Sequence, residues 1–231
     1  FRPAFRWDAL VKFHRARTIE GIDGFTEDVY RRGNVTIELD GDALRMTAGL
    51  SVDVADATIR ARRMFDLDAD PIAIDKHLRK DSILPRSPGS RVPGAWEPFE
   101  VAVRAIVGQQ ITVRGTTTIM NRLAAILTPE KLAEADIPGM PRSRADTIRR
   151  LASVWAHHEE PIEWLTAIRG IGPWTANYIA MRAFKHPDAF PEADLGLRKA
   201  AKALGIERLG ERAERWRPYR AYAAVMLWET L

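Results

Sequence analysis

Pro85, Pro88, Gly89, Pro93 and Gly94 crowd into one short stretch, and the hydrophobic period changes across it. Before it, Val35, Ile37 and Leu39 alternate with Thr36, Glu38 and Asp40; after Asp40-Gly41-Asp42, Leu44, Met46 and Ala48 alternate with Arg45 and Thr47. Period two with a glycine in the turn predicts a β-hairpin. Val54, Thr58, Ala61 and Phe65 then follow the spacing of one helix face. Beyond Gly94 only the helical period remains. Phe99, Val103 and Ile106 mark one helix, and an apolar helix runs from Ile111 to Leu127. Caps and periodicity predict further helices near 130–135, 144–157, 162–168, 173–184, 195–204, 210–214 and 218–230. The expected fold is α+β: a small antiparallel-sheet domain over 1–88, then a helical domain over 89–231.

The 231 residues include no Cys, which excludes disulfides, thiolate-held zinc and iron–sulfur clusters, and fits a reducing cytoplasm. No apolar run approaches the roughly 18 residues of a membrane span. The formal net charge is +4, carried largely by Arg, whose planar group suits phosphate, though such basicity is common. The chain starts at Phe1 without a signal-peptide pattern, so it reads as a fragment or processed form, with the expectation that something precedes it.

The most informative segment is Leu165-Thr-Ala-Ile-Arg-Gly-Ile-Gly-Pro-Trp-Thr-Ala-Asn-Tyr-Ile179. A short helix should stop at Gly170, Ile171 should plug the core, and Pro173 should open a new helix. Glycines at 170 and 172 permit positive φ and close approach of a ligand, and free amides at the helix start can grip phosphate. The same corner also serves plain helix packing with no ligand. Asp194 precedes the periodic Leu195, Leu197, Ala201 and Leu204, which makes it a helix N-cap. Trp174 and Tyr178 share a helix face, an arrangement that equally suits core packing.

The Gly-Ile-Gly corner resembles the helix-hairpin-helix of the base-excision DNA glycosylase superfamily. Phe190-Pro-Glu-Ala-Asp-Leu-Gly-Leu-Arg-Lys199 resembles the segment that carries that superfamily's essential aspartate. Pro93-Gly-Ala-Trp-Glu-Pro-Phe-Glu100 with Arg104-Ala-Ile-Val-Gly-Gln-Gln-Ile111 is similar to its DNA-3-methyladenine glycosylase II branch, and Phe5 to Arg17 resembles that branch's N-terminal sheet domain. The resemblance spans nearly the whole chain.

It implies a monofunctional glycosylase that everts alkylated purines of the 3-methyladenine type from duplex DNA and hydrolyses their N-glycosidic bond. Asp194 would stabilise the oxocarbenium-like sugar and orient or activate water. Trp174, Tyr178, Trp228 and Phe13 would form an electron-rich slot attractive to a cationic base. Members that also cut the strand carry a lysine where this chain has Trp174, so no lyase step is expected. Gln110 would fill the gap left in the duplex, although Gln109 and Gln110 also suit plain helix capping. Amides of Gly170, Gly172 and Trp174, assisted by Thr175 and Arg144, would hold phosphate. Carbonyls of Thr166, Ile168 and Ile171 would bind a structural monovalent cation, Na or K, with no cofactor required for the chemistry. His157 and His158 read as a solvated pair. Much of the Arg198–Arg220 basic run reads as an ordinary surface. The implied setting is a bacterial cytoplasm near the nucleoid, with the chain a monomer and a fusion to an adaptive-response regulatory module conceivable. The rival expectations are a glycosylase for deaminated or oxidised bases and a damage-binding or regulatory domain without turnover.

Overall fold

The computed structural model describes residues 1–155 and 163–231; His157 and His158 lie outside the described residues. Helix α1 (Trp7–Arg15) is followed by β1 (Asp23–Thr26), β2 (Val29–Arg32), β3 (Val35–Asp40) and β4 (Ala43–Ala48), an antiparallel sheet in sequential order. The expected hairpin is β3–β4, in register Val35↔Ala48, Ile37↔Met46 and Leu39↔Leu44. Val35 and Ile37 enter the core while Leu39, near the turn, is exposed. The helices that share this core are α1, which has no counterpart among the sequence expectations, and α2 (Val54–Met64). Asp53 caps α2 by accepting from the N–H groups of Ala55 and Asp56. The buried face of α2 is Ala57, Ala61 and Met64, leading into Phe65; Val54 and Thr58, expected on that face, point to solvent. Small alanines let this helix approach the sheet more closely than the β-branched residues would.

The helical part comprises α3 (Pro71–Leu78), α4 (Pro98–Val107), α5 (Val113–Leu123), α6 (Pro129–Glu134), α7 (Arg142–Val154), α8 (Glu163–Ala167), α9 (Pro173–Arg182), α10 (Leu195–Ala203), α11 (Leu209–Ala213) and α12 (Arg220–Trp228). Helix α4 is its axis: Phe99 and all of Val101–Val107 are buried against α5, α7 and α9. The helix expected from Ile111 starts later, because Thr112 is the N-cap and accepts from Gly115 N–H. A second core joins α9, α10, α11 and α12 to Ala69, Ile74, Leu78 and Leu84. The expected domain division at residue 88 therefore cuts across a packed layer, since α3 belongs to the helical side.

The breaker-rich stretch is no surface linker, for Gly89–Trp96 are buried. Arg91 inside it donates to the carbonyls of Arg2 (2.7 Å) and Ala4 (3.0 Å), and Val92 N–H donates to Asp66. Among the described residues, no helix is long and apolar enough to cross a membrane.

Candidate functional site

The corner between α8 and α9 is built by its glycines in two different ways. Gly170 has φ +101°, and a Cβ there would collide with the Thr147 hydroxyl. Gly172 has φ −88° and open space where a Cβ would stand, so positive φ, expected at both, is adopted only at Gly170. Ile171 is the expected plug, 4% exposed, and its N–H donates to Ile168 O at 3.0 Å. Pro173 occupies the first turn of α9. The N–H groups of Gly170, Gly172, Trp174 and Thr175 have no acceptor among the described residues. The carbonyls of Thr166 and Ile171 likewise accept no hydrogen bond among those residues, whereas Ile168 O accepts from Ile171 N–H. No cluster of His, Asp and Glu fit to hold a metal occurs among the described residues.

The loop between α4 and α5 is tied to this corner. Gln109 Nε2 donates to Gly170 O at 3.2 Å and Thr175 Oγ1 at 3.1 Å. Arg144, expected to reach phosphate, instead donates to Gln109 O (2.8 Å) and Val107 O (3.4 Å), bracing the loop from behind. Thr175 is buried, so its hydroxyl serves the loop and not solvent. Gln110 stands exposed at the tip with φ +63°, beside exposed Ile111.

Asp194 is the N-cap of α10, as expected, and more than that. Its Oδ1 accepts from Leu197 N–H at 3.0 Å and Trp228 Nε1 at 2.9 Å; its Oδ2 accepts from Trp174 Nε1 at 3.1 Å. The side chain is half-buried, not sealed. Gly196 permits this contact, because a Cβ there would stand 3.0 Å from Asp194 Oδ1 and 3.1 Å from the Trp228 ring. Trp174 and Tyr178 stack with centroids 5.5 Å apart, and Trp228 meets Tyr178 edge-on at 6.4 Å. The structure thus gathers Asp194, Trp174, Tyr178 and Trp228 into one cluster of contacting side chains. The indole N–H bonds to the carboxylate were not foreseen; two tryptophans near a capping aspartate are the only trace of them in the sequence.

Phe13, from α1, also reaches this region and is half-buried. Arg17 and Arg182 guanidiniums lie 3.7 and 4.3 Å from its centroid. Arg182 also donates to Tyr178 Oη at 2.6 Å. Burial pushes the Tyr178 phenol up, but Arg182, Arg17 and Arg104 outweigh it and hold it below the usual tyrosine value. Burial lowers Arg104 to about 10. The sequence expectations gave these arginines no role in the site. The basic run further on behaves as an ordinary surface in part: Arg208 pairs with Glu211, Arg212 with Asp81, and Arg217 and Arg220 with Asp188.

Residues 1–97 match the family described as the AlkA N-terminal domain. The whole chain aligns at 35% identity with a Mycobacterium tuberculosis (strain ATCC 25618 / H37Rv) protein named "Probable bifunctional transcriptional activator/DNA repair enzyme AlkA", of which it covers 56%. It therefore spans just over half of that relative's length. It also aligns over 100% of its own length and 95% of the relative with Escherichia coli (strain K12) "DNA-3-methyladenine glycosylase 2", at 27% identity. A solved structure, "3-methyladenine dna-glycosylase from Archaeoglobus fulgidus", shares the fold with TM-score 0.83 at 20% identity, covering 97% of this chain and 94% of that one.

Proposed function

We infer that this chain is a helix-hairpin-helix DNA glycosylase with an AlkA-type N-terminal domain and that it hydrolyses the N-glycosidic bond of alkylated purines everted from duplex DNA. One observation carries the reading: a half-exposed carboxylate, Asp194, is gripped by three N–H donors beside the Trp174–Tyr178–Trp228 slot. Breaking the bond between C1′ and the base nitrogen leaves positive charge on the sugar. A carboxylate oriented in advance stabilises that charge without reorganising as the bond breaks. Water then adds to C1′, guided by the same oxygens. An alkylated purine is a cation in DNA and departs neutral, so it needs no acid.

The step ends at an abasic site. Trp174 stands where superfamily members that cut the strand carry a lysine, and an indole forms no Schiff base with the sugar. Duplex DNA is the partner, held through phosphate without reading sequence. The free N–H groups of Gly170, Gly172, Trp174 and Thr175 suit a phosphate oxygen. The carbonyls of Thr166, Ile168 and Ile171 fit a hard monovalent cation, which would be structural and neutralise phosphate charge there. Gln110, exposed on a backbone held in the left-handed region, fills the gap that the everted nucleotide leaves.

The test is release of free base from methylated duplex under single-turnover conditions. Asp194→Asn keeps the cap and the volume but removes the charge, and release should fall by about 10²–10³ while duplex affinity persists. Normal release from this variant would refute the assignment.

A further inference from the structure

Asp194 stands at the end of a segment, Phe190–Asp194, that is neither helix nor strand. Two hydrogen bonds fold it on itself: Glu192 N–H donates to Phe190 O at 2.9 Å and Asp194 N–H to Pro191 O at 2.8 Å. The Phe190 ring is buried edge-on against Trp216. Helix α9 holds the segment at both ends. Trp174 Nε1 donates to Asp194 Oδ2 at the far end, and Asn177 Oδ1 accepts from Phe190 N–H at 3.1 Å at the near end. Among the described residues, no other side chain of α9 hydrogen-bonds to this segment. Trp174 and Asn177 are three apart and therefore neighbours on one face of α9.

The Asn177 side chain is fixed in this task. Phe190 N–H can only donate, so the amide oxygen faces it, and the amide nitrogen donates to Pro173 O at 3.0 Å. Both ends of the planar amide are engaged, which leaves one orientation. Asn is a poor residue for a helix interior, because its side chain competes for backbone groups; here that competition is turned to a tertiary contact. The start of the same helix carries the N–H groups of Gly172 and Trp174 that suit a phosphate oxygen. From Gly172 to Asn177 is only about 7.5 Å at the rise of an α-helix. Phosphate grip and carboxylate are thus referenced to one short, stiff element, although the chain between them passes through the rest of α9 and a loop. Such a reference matters because phosphate contacts fix where the DNA lies. A displacement of about 1 Å between the reacting centre and a group that serves it costs about 10²-fold in rate.

We propose that Asn177 is a positioning residue for base release: by holding Phe190 N–H it sets the reach from the phosphate-gripping start of α9 to the Asp194 carboxylate, so that C1′ of the everted nucleotide meets that carboxylate. It acts through Asp194 and not on the base. This rests on the glycosylase reading above and adds to it the element that registers the carboxylate on the DNA.

The experiment measures two quantities for wild type, Asn177→Leu, Asn177→Asp and Asp194→Asn: single-turnover release of 7-methylguanine, and Kd for a duplex carrying a stable abasic analogue. Asn177→Leu keeps the volume and removes both hydrogen bonds; release should slow about ten- to hundredfold while Kd stays within about twofold. Asn177→Asp keeps an oxygen facing Phe190 N–H and should restore release to within about threefold of wild type. A merely structural role weakens binding together with rate and gains nothing from the restored oxygen. Circular dichroism checks folding; if Asn177→Leu unfolds, Asn177→Ala, which also removes the bond and suits a helix better, decides. Release at the wild-type rate in the folded variant overturns the proposal, as does a parallel loss of rate and affinity, or an Asn177→Asp as slow as Asn177→Leu. A wild type that releases no 7-methylguanine refutes the glycosylase reading instead, and with it this one. Loss of release in Asp194→Asn supports the parent reading independently of Asn177.

Discussion

Trp228 Nε1 donates to Asp194 Oδ1 at 2.9 Å, so the start of α10 is held by a residue of α12. With Trp174 on the other oxygen, two indoles from different helices aim the carboxylate. The two indoles and the carboxylate form one hydrogen-bonded unit.

Trp228→Phe keeps the ring and removes the N–H. Single-turnover release of 7-methylguanine should slow about tenfold, the worth of one hydrogen bond to a charged group. Trp174→Phe should behave alike, and the double variant should depart from additivity because both rings serve one carboxylate. Rates equal to wild type in both single variants would remove the indoles from the mechanism.

The two hairpin glycines should separate fold from binding. Gly170→Ala forces a side chain into the left-handed region and onto Thr147, and urea unfolding should show a loss of about 1–3 kcal/mol. Gly172→Ala meets nothing, so stability should change by less than about 0.5 kcal/mol. Its methyl group stands where phosphate would approach, and duplex affinity should fall. Undiminished affinity in Gly172→Ala would argue against phosphate at this corner.

His14 should make the fold acid-sensitive. Burial, then Arg182 and Arg17, hold its folded value well below 6.5. Below about pH 6.5 the unfolded chain therefore binds a proton that the folded chain refuses, and stability falls with falling pH. Above that pH the contribution is constant and fully present. The slope from this one site is at most about 1.4 kcal/mol per pH unit. His14→Phe, whose ring suits the edge contacts to Phe13 and Phe65, should flatten the melting temperature between pH 7 and pH 5. An unchanged slope would assign the acid sensitivity elsewhere.

Gln109→Ala should uncouple the loop from the hairpin. Two hydrogen bonds are lost, costing about 1–2 kcal/mol of stability. Gln110 then loses its fixed position, so base release should slow more than affinity for undamaged duplex declines. Equal losses in both measurements would mean that the loop only binds.

Borohydride added during turnover should trap no covalent protein–DNA adduct in wild type. A strong adduct would show that another amine attacks the sugar, against the reading of Trp174.

Much was legible in the sequence where the signal is local. Alternation with a glycine turn marks β3–β4; Asp194 before a periodic run marks a cap; Gly170 and Pro173 mark a corner. β1 and β2 were not legible, because four-residue strands reading Asp-Gly-Phe-Thr and Val-Tyr-Arg-Arg carry no alternation, and only Tyr30 among them is buried. Helix α2 was found, yet its inward face was displaced, since small alanines and not Val54 meet the sheet.

From sequence alone came the class of fold, the hairpin corner and the carboxylate, each written in contiguous residues whose backbone preferences act over a turn or two. Only the tertiary structure decided what surrounds that carboxylate and slot. Arg17 and Arg182 meet on Phe13 although they lie far apart along the chain, and Trp228 reaches Asp194 across 34 positions. Side-chain charge and hydrogen-bond direction have no period along a sequence; they become definite when packing brings distant helices together and removes the water between them.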